Sequence, residues 1–231
     1  MATRPIFVPN QIGTPGAAEM PIEFKWHPGM AKSQKQKSIT ELHASAQLLG
    51  YDRLLEISSK SEVELGVKLS AFNLLITTKK NNKIFTVETA FQGSKVFVRG
   101  GPYKDLFGLD SLAAKKDMRL KNSGSLKRFE FFGVTFPLEP RTFFYDWIYI
   151  NALVQNEPLA DAVKDFDGFT DIEFNPKKSI NCQAHSVALY VSLVKFNLLD
   201  EALLSPENFL RILISHYERQ NRNIVIQGSL V

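Results

Sequence analysis

The sequence predicts an α+β fold, mainly helical with a small antiparallel β-sheet, in one structural domain. The chain has 231 residues, within the range of one large domain, and its hydrophobic fraction of 44% with 18 Phe suffices for a packed core. Segments with helical spacing outnumber short strand-like runs, and no internal repeat or low-complexity linker divides the chain. We expect an irregular lead-in with a basic helix over residues 1–50, packed on a core over residues 51–231.

The first half of the chain predicts one basic helix followed by a strand pair and a second helix. Residues 33–49 place apolar side chains at helical spacing and stop at Gly50. Residues 72–78 and 83–87 are typical of two strands joined by a polar turn. Residues 88–98 then predict a helix, which the following Gly-Gly-Pro sequence breaks.

The second half predicts a strand pair followed by four helices. Residues 126–136 indicate two strands with a kink at Gly133, and two prolines end that unit. Pro158 and the Ser205-Pro206 pair are typical helix starts. The remaining expectations, in chain order, are helices over 141–155 and 158–164, an irregular loop over 169–178, helices over 181–194 and 206–220, and an edge strand over 223–226.

Composition favours a soluble cytoplasmic protein without a membrane partner. The single cysteine, Cys182, excludes an internal disulfide framework, so we expect a reducing compartment and a buried helical Cys. No segment reaches the roughly 20 apolar residues that span a bilayer. The N-terminus also lacks the apolar centre of a signal peptide.

Basic residues concentrate in two stretches, although the net charge is only +4. Segment 115–128 carries six basic residues against one acidic residue, and its candidate phosphate contacts are Lys115, Lys116, Arg119 and Lys121. Lys25, Lys32, Lys35 and Lys37 form the second stretch, beside Trp26. Both stretches are either solvated surfaces or contacts to an anionic partner such as a nucleic acid or a pyrophosphate. Trp26 is a candidate for stacking on a base.

Three polar residues share one face of the predicted helix over 88–98. At about 100° per residue, Gln92 and Lys95 lie within about 40° of Glu88 around the helix axis. The face would present a carboxylate, an amide and an ammonium together. Such spacing fits an ordinary exposed helix face as well as a polar site, so spacing alone does not decide between them.

The residues around Glu88 resemble a family signature. Residues 88–97, ETAFQGSKVF, are similar to S-E-H-Y-x-Q-A-x-K-F of the NADAR (YbiA-like) family, with Glu88, Gln92 and Lys95 at matching positions. Three further elements stand in the family's order. Leu69-Ser70-Ala71-Phe72 resembles L-S-N-F, Asp146-Trp147 resembles the D-W helix, and Asn181 with the apolar helix after it resembles the final N-x-L-G-x-x-L-M element.

The chain also departs from the short members of that family. Val87, Thr89 and Ala90 replace Ser, His and Tyr around the glutamate, and residues 170–175 replace a W-G-x-G loop. The N-terminal piece over residues 26–43 lies outside the short family core. It resembles the branch of NADAR proteins encoded beside guanine-directed DarT toxins.

The resemblance implies an N-glycosidase with Glu88 and Lys95 as catalytic residues at the sugar C1. Gln92 would hold the substrate or Glu88, and Phe72 would wall the pocket. The other candidate substrate contacts are Asp146, Asp171 and Asn181. A carboxylate can stabilise an oxocarbenium-like sugar or relay a proton. Lys95 would act either as a fixed cation and proton donor or as a nucleophile that forms a Schiff base.

Three functions remain open at this point. The branch implies removal of ADP-ribose from guanine in DNA, with ADP-ribosylated DNA as substrate, ADP-ribose as product, and an antitoxin role against a DarT-type toxin encoded nearby. The alternatives are an N-glycosidase acting on a small phosphorylated riboside, such as a riboflavin-pathway intermediate, and a non-catalytic module that binds ADP-ribose or nucleic acid. We expect no cofactor and no metal, since the four histidines lack ligand spacing.

Overall fold

The computed structural model describes residues 1–79 and 81–220, and within them it confirms the α+β fold. The helices are α1 (Lys32–Gln47), α2 (Glu64–Lys68), α3 (Val87–Gly93), α4 (Ser111–Lys116), α5 (Arg119–Asn122), α6 (Phe143–Val154), α7 (Glu157–Ala162), α8 (Gln183–Lys195), α9 (Leu199–Leu203) and α10 (Pro206–Arg219). The strands are β1 (Ala2–Pro9), β2 (Ala17–Phe24), β3 (Leu54–Glu56), β4 (Leu75–Thr77), β5 (Ile84–Thr86), β6 (Lys95–Phe97), β7 (Leu126–Phe131), β8 (Val134–Phe136) and β9 (Gly168–Thr170). The expected strand over 223–226 lies outside the described residues.

The strands form three small sheets. The largest has the order β2-β1-β9-β3, in which β1 pairs antiparallel with β2 and β9, and β3 pairs parallel with β9. A hairpin of β4 and β5 and an antiparallel sheet of β6, β7 and β8 complete the set. The parallel β3–β9 pair places Glu56 beside Thr170, and Thr170 directly precedes the candidate site residue Asp171.

Two stretches expected to be irregular contain strands instead. The lead-in before the basic helix is a long antiparallel hairpin, β1 and β2, and the loop expected over 169–178 begins in β9. Prolines in β1 and β2 masked the strand pattern, because proline is usually confined to edges and strand ends. Apolar side chains on both faces of this hairpin are nevertheless buried, Phe7 in the main core and Ile6, Ile22 and Phe24 against α1.

The helix expected over 88–98 is shorter than its sequence pattern. It ends at Gly93, with Ser94 as its C-terminal cap, and Lys95 opens strand β6. β6 pairs with β7 through the Lys95–Phe129 and Val96–Arg128 positions. Tertiary pairing therefore overrides the helical period after Gly93, and Lys95 reaches the site from a strand rather than from the helix face.

The core surrounds α6 and α8, whose side chains are almost all buried. A second, smaller cluster packs the β1–β2 hairpin onto α1 through Ile22, Phe24, Ile39 and Leu42. The Tyr149 hydroxyl on α6 donates a 2.6 Å hydrogen bond to the carbonyl of Leu69, which fixes the segment that leads to the site. None of the described helices is long and apolar enough to cross a membrane.

Candidate active site

The position of helix α3 is fixed by its N-terminal cap and by a backbone hydrogen bond to Ala71, in the segment before β4. The Thr86 hydroxyl accepts from the Thr89 amide, and the Thr89 hydroxyl accepts from the Thr86 amide, which forms a reciprocal capping box. The Glu88 amide donates to the Ala71 carbonyl at 2.8 Å. All seven residues of α3 are buried, so the helix carries its polar side chains into the protein and not to solvent.

A chain of hydrogen bonds joins the three residues that the sequence placed together. The Gln92 Nε2 atom donates to Glu88 Oε1 at 2.8 Å, and Lys95 Nζ donates to Gln92 Oε1 at 2.7 Å. Glu88 is only 5% exposed and Gln92 is 6% exposed. The Lys95 ammonium also lies 4.7 Å from the ring centroid of Phe91. The carboxylate, the amide and the amine therefore form one hydrogen-bonded group that is mostly shielded from solvent.

The environment of Lys95 lowers the pKa of its amine. Burial lowers the pKa of Lys95 to about 8, the charge of Glu88 opposes that effect, and the charge of Lys115 adds to it. A substantial fraction of the amine is therefore unprotonated slightly above neutral pH. A neutral buried amine is a nucleophile, whereas an ammonium is not.

Lys115 brings a second cation to the same carboxylate. Its Nζ lies 3.9 Å from Glu88 Oε1 and 5.0 Å from the ring centroid of Phe72. Phe72 is partly buried, and its carbonyl accepts from the Ser111 hydroxyl on α4 at 3.0 Å. Phe72 thus lies at the edge of the site, where the sequence analysis expected a pocket wall.

Two buried polar atoms, one before β4 and one before α8, have no hydrogen-bond partner among the described residues. Ser70 Oγ and Asn181 Oδ1 are these atoms. Gln183, two residues after Asn181, accepts from the Ala71 amide at 2.7 Å and donates to the Ile57 carbonyl. Since Ala71 also accepts from Glu88, this contact ties the start of α8 to α3. Unpartnered buried polar groups are rare, and a ligand is one way to satisfy them.

Asp171 lies in a second acidic cluster at the end of β9. Its Oδ1 atom accepts from the amides of Glu173 and Phe174 at 3.0 and 3.2 Å. Burial, together with the charge of Glu56, raises the pKa of Asp171 to about 8. Asp171 and Glu88 both act on the hydroxyl of Tyr145, whose pKa is raised first by burial and then by the Glu88 charge.

Asp146 is placed in a closed network and not on the surface of the site. Its carboxylate is 0% exposed and accepts from Ser186 Oγ at 2.6 Å and from Tyr217 OH at 3.2 Å, and it lies 3.2 Å from His185 Nδ1. Burial alone would raise the pKa of Asp146, but the His185 charge and the hydrogen bonds outweigh it and lower the pKa. These partners indicate a stabilising role in the core, and the expected contact of Asp146 with substrate stays a prediction.

Trp26 is covered by cations of the same chain. The Lys35 ammonium lies 4.9 Å and the Arg4 guanidinium 5.4 Å from its ring centroid, and Phe24 packs edge-on against it. Lys35 also pairs with Glu173 at 3.0 Å. The structure therefore gives the ring partners within the protein, and stacking on a nucleic-acid base stays a prediction without structural support.

Arg119 also forms ion pairs within the protein, whereas Lys116 forms none among the described residues. The Arg119 guanidinium pairs with Asp105 at 2.6 Å and with Asp117 at 2.9 Å, and these contacts raise its pKa. This double pairing holds α5 to the segment before α4. Lys116 is exposed and has no ion pair or hydrogen bond within the described part of the chain.

Contacts that depend on the tertiary structure could not be predicted from the sequence. Lys115 stood out only as one member of segment 115–128, although it is the lysine of that segment that contacts Glu88. Gln183 and Tyr145 were not considered. The sequence of a short helix with hydrophobic and basic residues does not indicate which residue its lysine will contact in the folded protein.

Comparison with known proteins adds a family to this geometry. A family model described as DarT1-associated NADAR antitoxin matches residues 2–223. The match therefore includes the β1–β2 hairpin and α1 as well as the segments around Glu88. No curated protein matches the chain.

Replacing Asp146 tests whether it serves the core. In Asp146→Ala the three polar side chains around it lose their shared acceptor, so we expect a loss of about 3–5 kcal/mol in the free energy of unfolding. The matched control is Asp52→Ala, an exposed Asp whose loss should change stability by no more than about 0.5 kcal/mol. Denaturant unfolding measures both. Equal stability of the two variants would remove Asp146 from the core network and restore it as a candidate substrate contact.

Proposed function

The chain belongs to the NADAR family, among its DarT1-associated antitoxins, and from this we propose that it removes ADP-ribose from guanine bases in DNA. The resemblance expected from the sequence is thereby confirmed at the level of the family. The observation that carries the proposed activity is the buried Glu88–Gln92–Lys95 chain. It joins an anion, a neutral amide and an amine of lowered pKa within hydrogen-bond distance.

This arrangement suits cleavage of a bond between a sugar C1 and a nitrogen. The Glu88 carboxylate can stabilise positive charge at C1 and relay protons. Gln92 bonds to both Glu88 and Lys95, so it sets the distance between acid and amine. The low exposure of the group strengthens these electrostatic interactions relative to those in water.

We assign the nucleophilic role to Lys95. When ribose is joined to an exocyclic amino group, the proton on that nitrogen can move to the ring oxygen, the C1–O bond breaks, and a C1=N bond forms. The neutral Lys95 amine adds to C1 and displaces the base, and its two protons pass to the base nitrogen, with Glu88 as relay. Water then hydrolyses the Lys95 imine, which releases ADP-ribose and restores the amine.

Helix α1 supplies the surface that favours a nucleic acid as substrate. His43 on α1 hydrogen-bonds with Thr170 at 2.9 Å, and Thr170 precedes Asp171, so α1 packs against the end of β9 that leads to this candidate residue. Burial lowers the pKa of His43 to about 4, so it is neutral there. On the outer side of α1, Lys32 and Lys37 are exposed. Exposed cations beside a site are suited to phosphate contacts.

The two alternatives lack comparable support. A non-catalytic binding module does not require a lysine of lowered pKa hydrogen-bonded to a buried carboxamide–carboxylate pair. A small riboside does not require an additional N-terminal hairpin and basic helix, both of which the family match includes.

Substitution of the carboxylate tests the proposed activity. Glu88→Gln keeps the volume and removes the charge, so we expect release of free ADP-ribose from guanine-ADP-ribosylated DNA to fall by about 10²–10⁴-fold. Glu62→Gln, at an exposed Glu, is the matched control and should retain wild-type turnover. Chromatography of released ADP-ribose measures both. Unchanged turnover in Glu88→Gln would exclude the carboxylate from the reaction, and no release by the wild type would refute the function.

The basic surface of α1 gives a prediction about substrate size. Because Lys35 is held by Trp26 and Glu173, the lysines to replace are Lys32 and Lys37. The double change to Gln should weaken action on modified DNA more than on a modified nucleoside, and should reduce the slope of log affinity against log salt by about one for each lost contact.

The control for that experiment neutralises two lysines that already pair with an acidic residue three or four positions earlier in the sequence. Lys68 pairs with Glu64 and Lys164 pairs with Asp161, at 2.8 and 2.7 Å. Their double change to Gln should leave the salt slope unchanged. Equal losses on DNA and nucleoside in the α1 variant would show that these lysines do not contact the nucleic acid.

A further inference from the structure

Two lysines converge on one buried carboxylate. Lys115 Nζ lies 3.9 Å from Glu88 Oε1, and Lys95 reaches the same oxygen through Gln92. A single anion inside the protein balances only one of two ammonium charges. The more buried lysine loses more hydration when charged, so it is the one that releases its proton at the lower pH. The Lys115 side chain is 54% exposed and can stay charged, whereas Lys95 is largely enclosed.

The position of Lys115 is fixed by its helix. Asp110 caps α4 by accepting from the amides of Leu112 and Ala113, both at 3.0 Å. The Ser111 hydroxyl hydrogen-bonds to the Phe72 carbonyl at 3.0 Å and to the Thr86 hydroxyl at 2.7 Å. Thr86 is itself the cap of α3, so the helix that carries Lys115 is bonded to the start of the helix that carries Glu88.

We propose that Lys115 is a positioning residue that neutralises Glu88 and thereby leaves Lys95 free to act as an uncharged nucleophile. The inference rests on the proposed function for its catalytic consequence. Its electrostatic part concerns the protein alone and holds whatever the substrate is.

The groups that face Lys95 support this division of roles. Glu88 on α3 favours its ammonium form, and burial and Lys115 on α4 favour its neutral form. From α6, Tyr145 packs edge-on against Phe91, the ring beneath the Lys95 amine. On β7 the Lys95 partner is Phe129, and alternation along a strand turns Arg128 and Glu130 to the opposite face. Lys115 is therefore the nearby positive charge that opposes protonation of Lys95.

The first arm of the test needs no substrate. The rate at which Lys95 reacts with an amine-acylating reagent, followed by peptide mass spectrometry across pH, reports the pKa of its amine. In Lys115→Gln we expect that titration to move upward by roughly half a unit to one unit, because a half-exposed charge is partly screened. Lys115→Arg keeps the charge and should restore the wild-type titration. Lys116→Gln, one residue away on the same helix, should leave it unchanged.

The second arm follows turnover on ADP-ribosylated DNA across pH. Activity that needs neutral Lys95 rises as pH passes through the pKa of Lys95, so the acid limb in Lys115→Gln should move to higher pH by the same amount. Activity lost at pH 7 should then return at higher pH. A Lys95 titration that does not move in Lys115→Gln would overturn the proposal, even if activity falls. A titration that moves without any turnover by the wild type would support the electrostatic role and refute the proposed function instead.

Discussion

Taking the Glu88 carboxylate out of water costs several kcal/mol unless donors and countercharges replace its hydration. Much of the described structure around the site supplies that replacement. The Gln92 amide donates directly, Lys115 approaches from α4, and Lys95 completes the chain from β6. The cap at Thr86 and the contact between the Glu88 amide and Ala71 fix the backbone on which these groups depend.

The same constraint produces the chemistry. Enclosing the carboxylate also encloses Lys95, and burial of that amine lowers its pKa to about 8. With a second lysine near the carboxylate, the site holds more cation than anion, and the enclosed amine is the one that can lose its proton. The resulting neutral amine lies one carboxamide away from an acid–base group. This combination suits the proposed displacement of a base from an opened sugar.

The sequence predicted the members of this group but gave a wrong reason for their proximity. Helical spacing placed Glu88, Gln92 and Lys95 on one face, whereas the helix ends at Gly93 and Lys95 begins a strand. Helices α6, α7, α8 and α10 were predictable because apolar periodicity and helix-starting prolines are local signals, whereas the short α9 was not expected. The hairpin of β1 and β2 was not predictable because its prolines mask the strand pattern. The closed network of Asp146 and the approach of Lys115 were not predictable because their partners lie more than twenty residues away in the sequence.

Trapping of the intermediate tests the central claim, that Lys95 acts as a nucleophile, most directly. Borohydride added during turnover on guanine-ADP-ribosylated DNA reduces an imine to a stable amine. Our account predicts a protein whose mass increases by that of the reduced ADP-ribose adduct, with the modification at Lys95 in peptide mass spectra and absent from Lys95→Ala. No adduct in the wild type, together with substantial turnover by Lys95→Arg, would contradict it and leave Lys95 as a fixed cation.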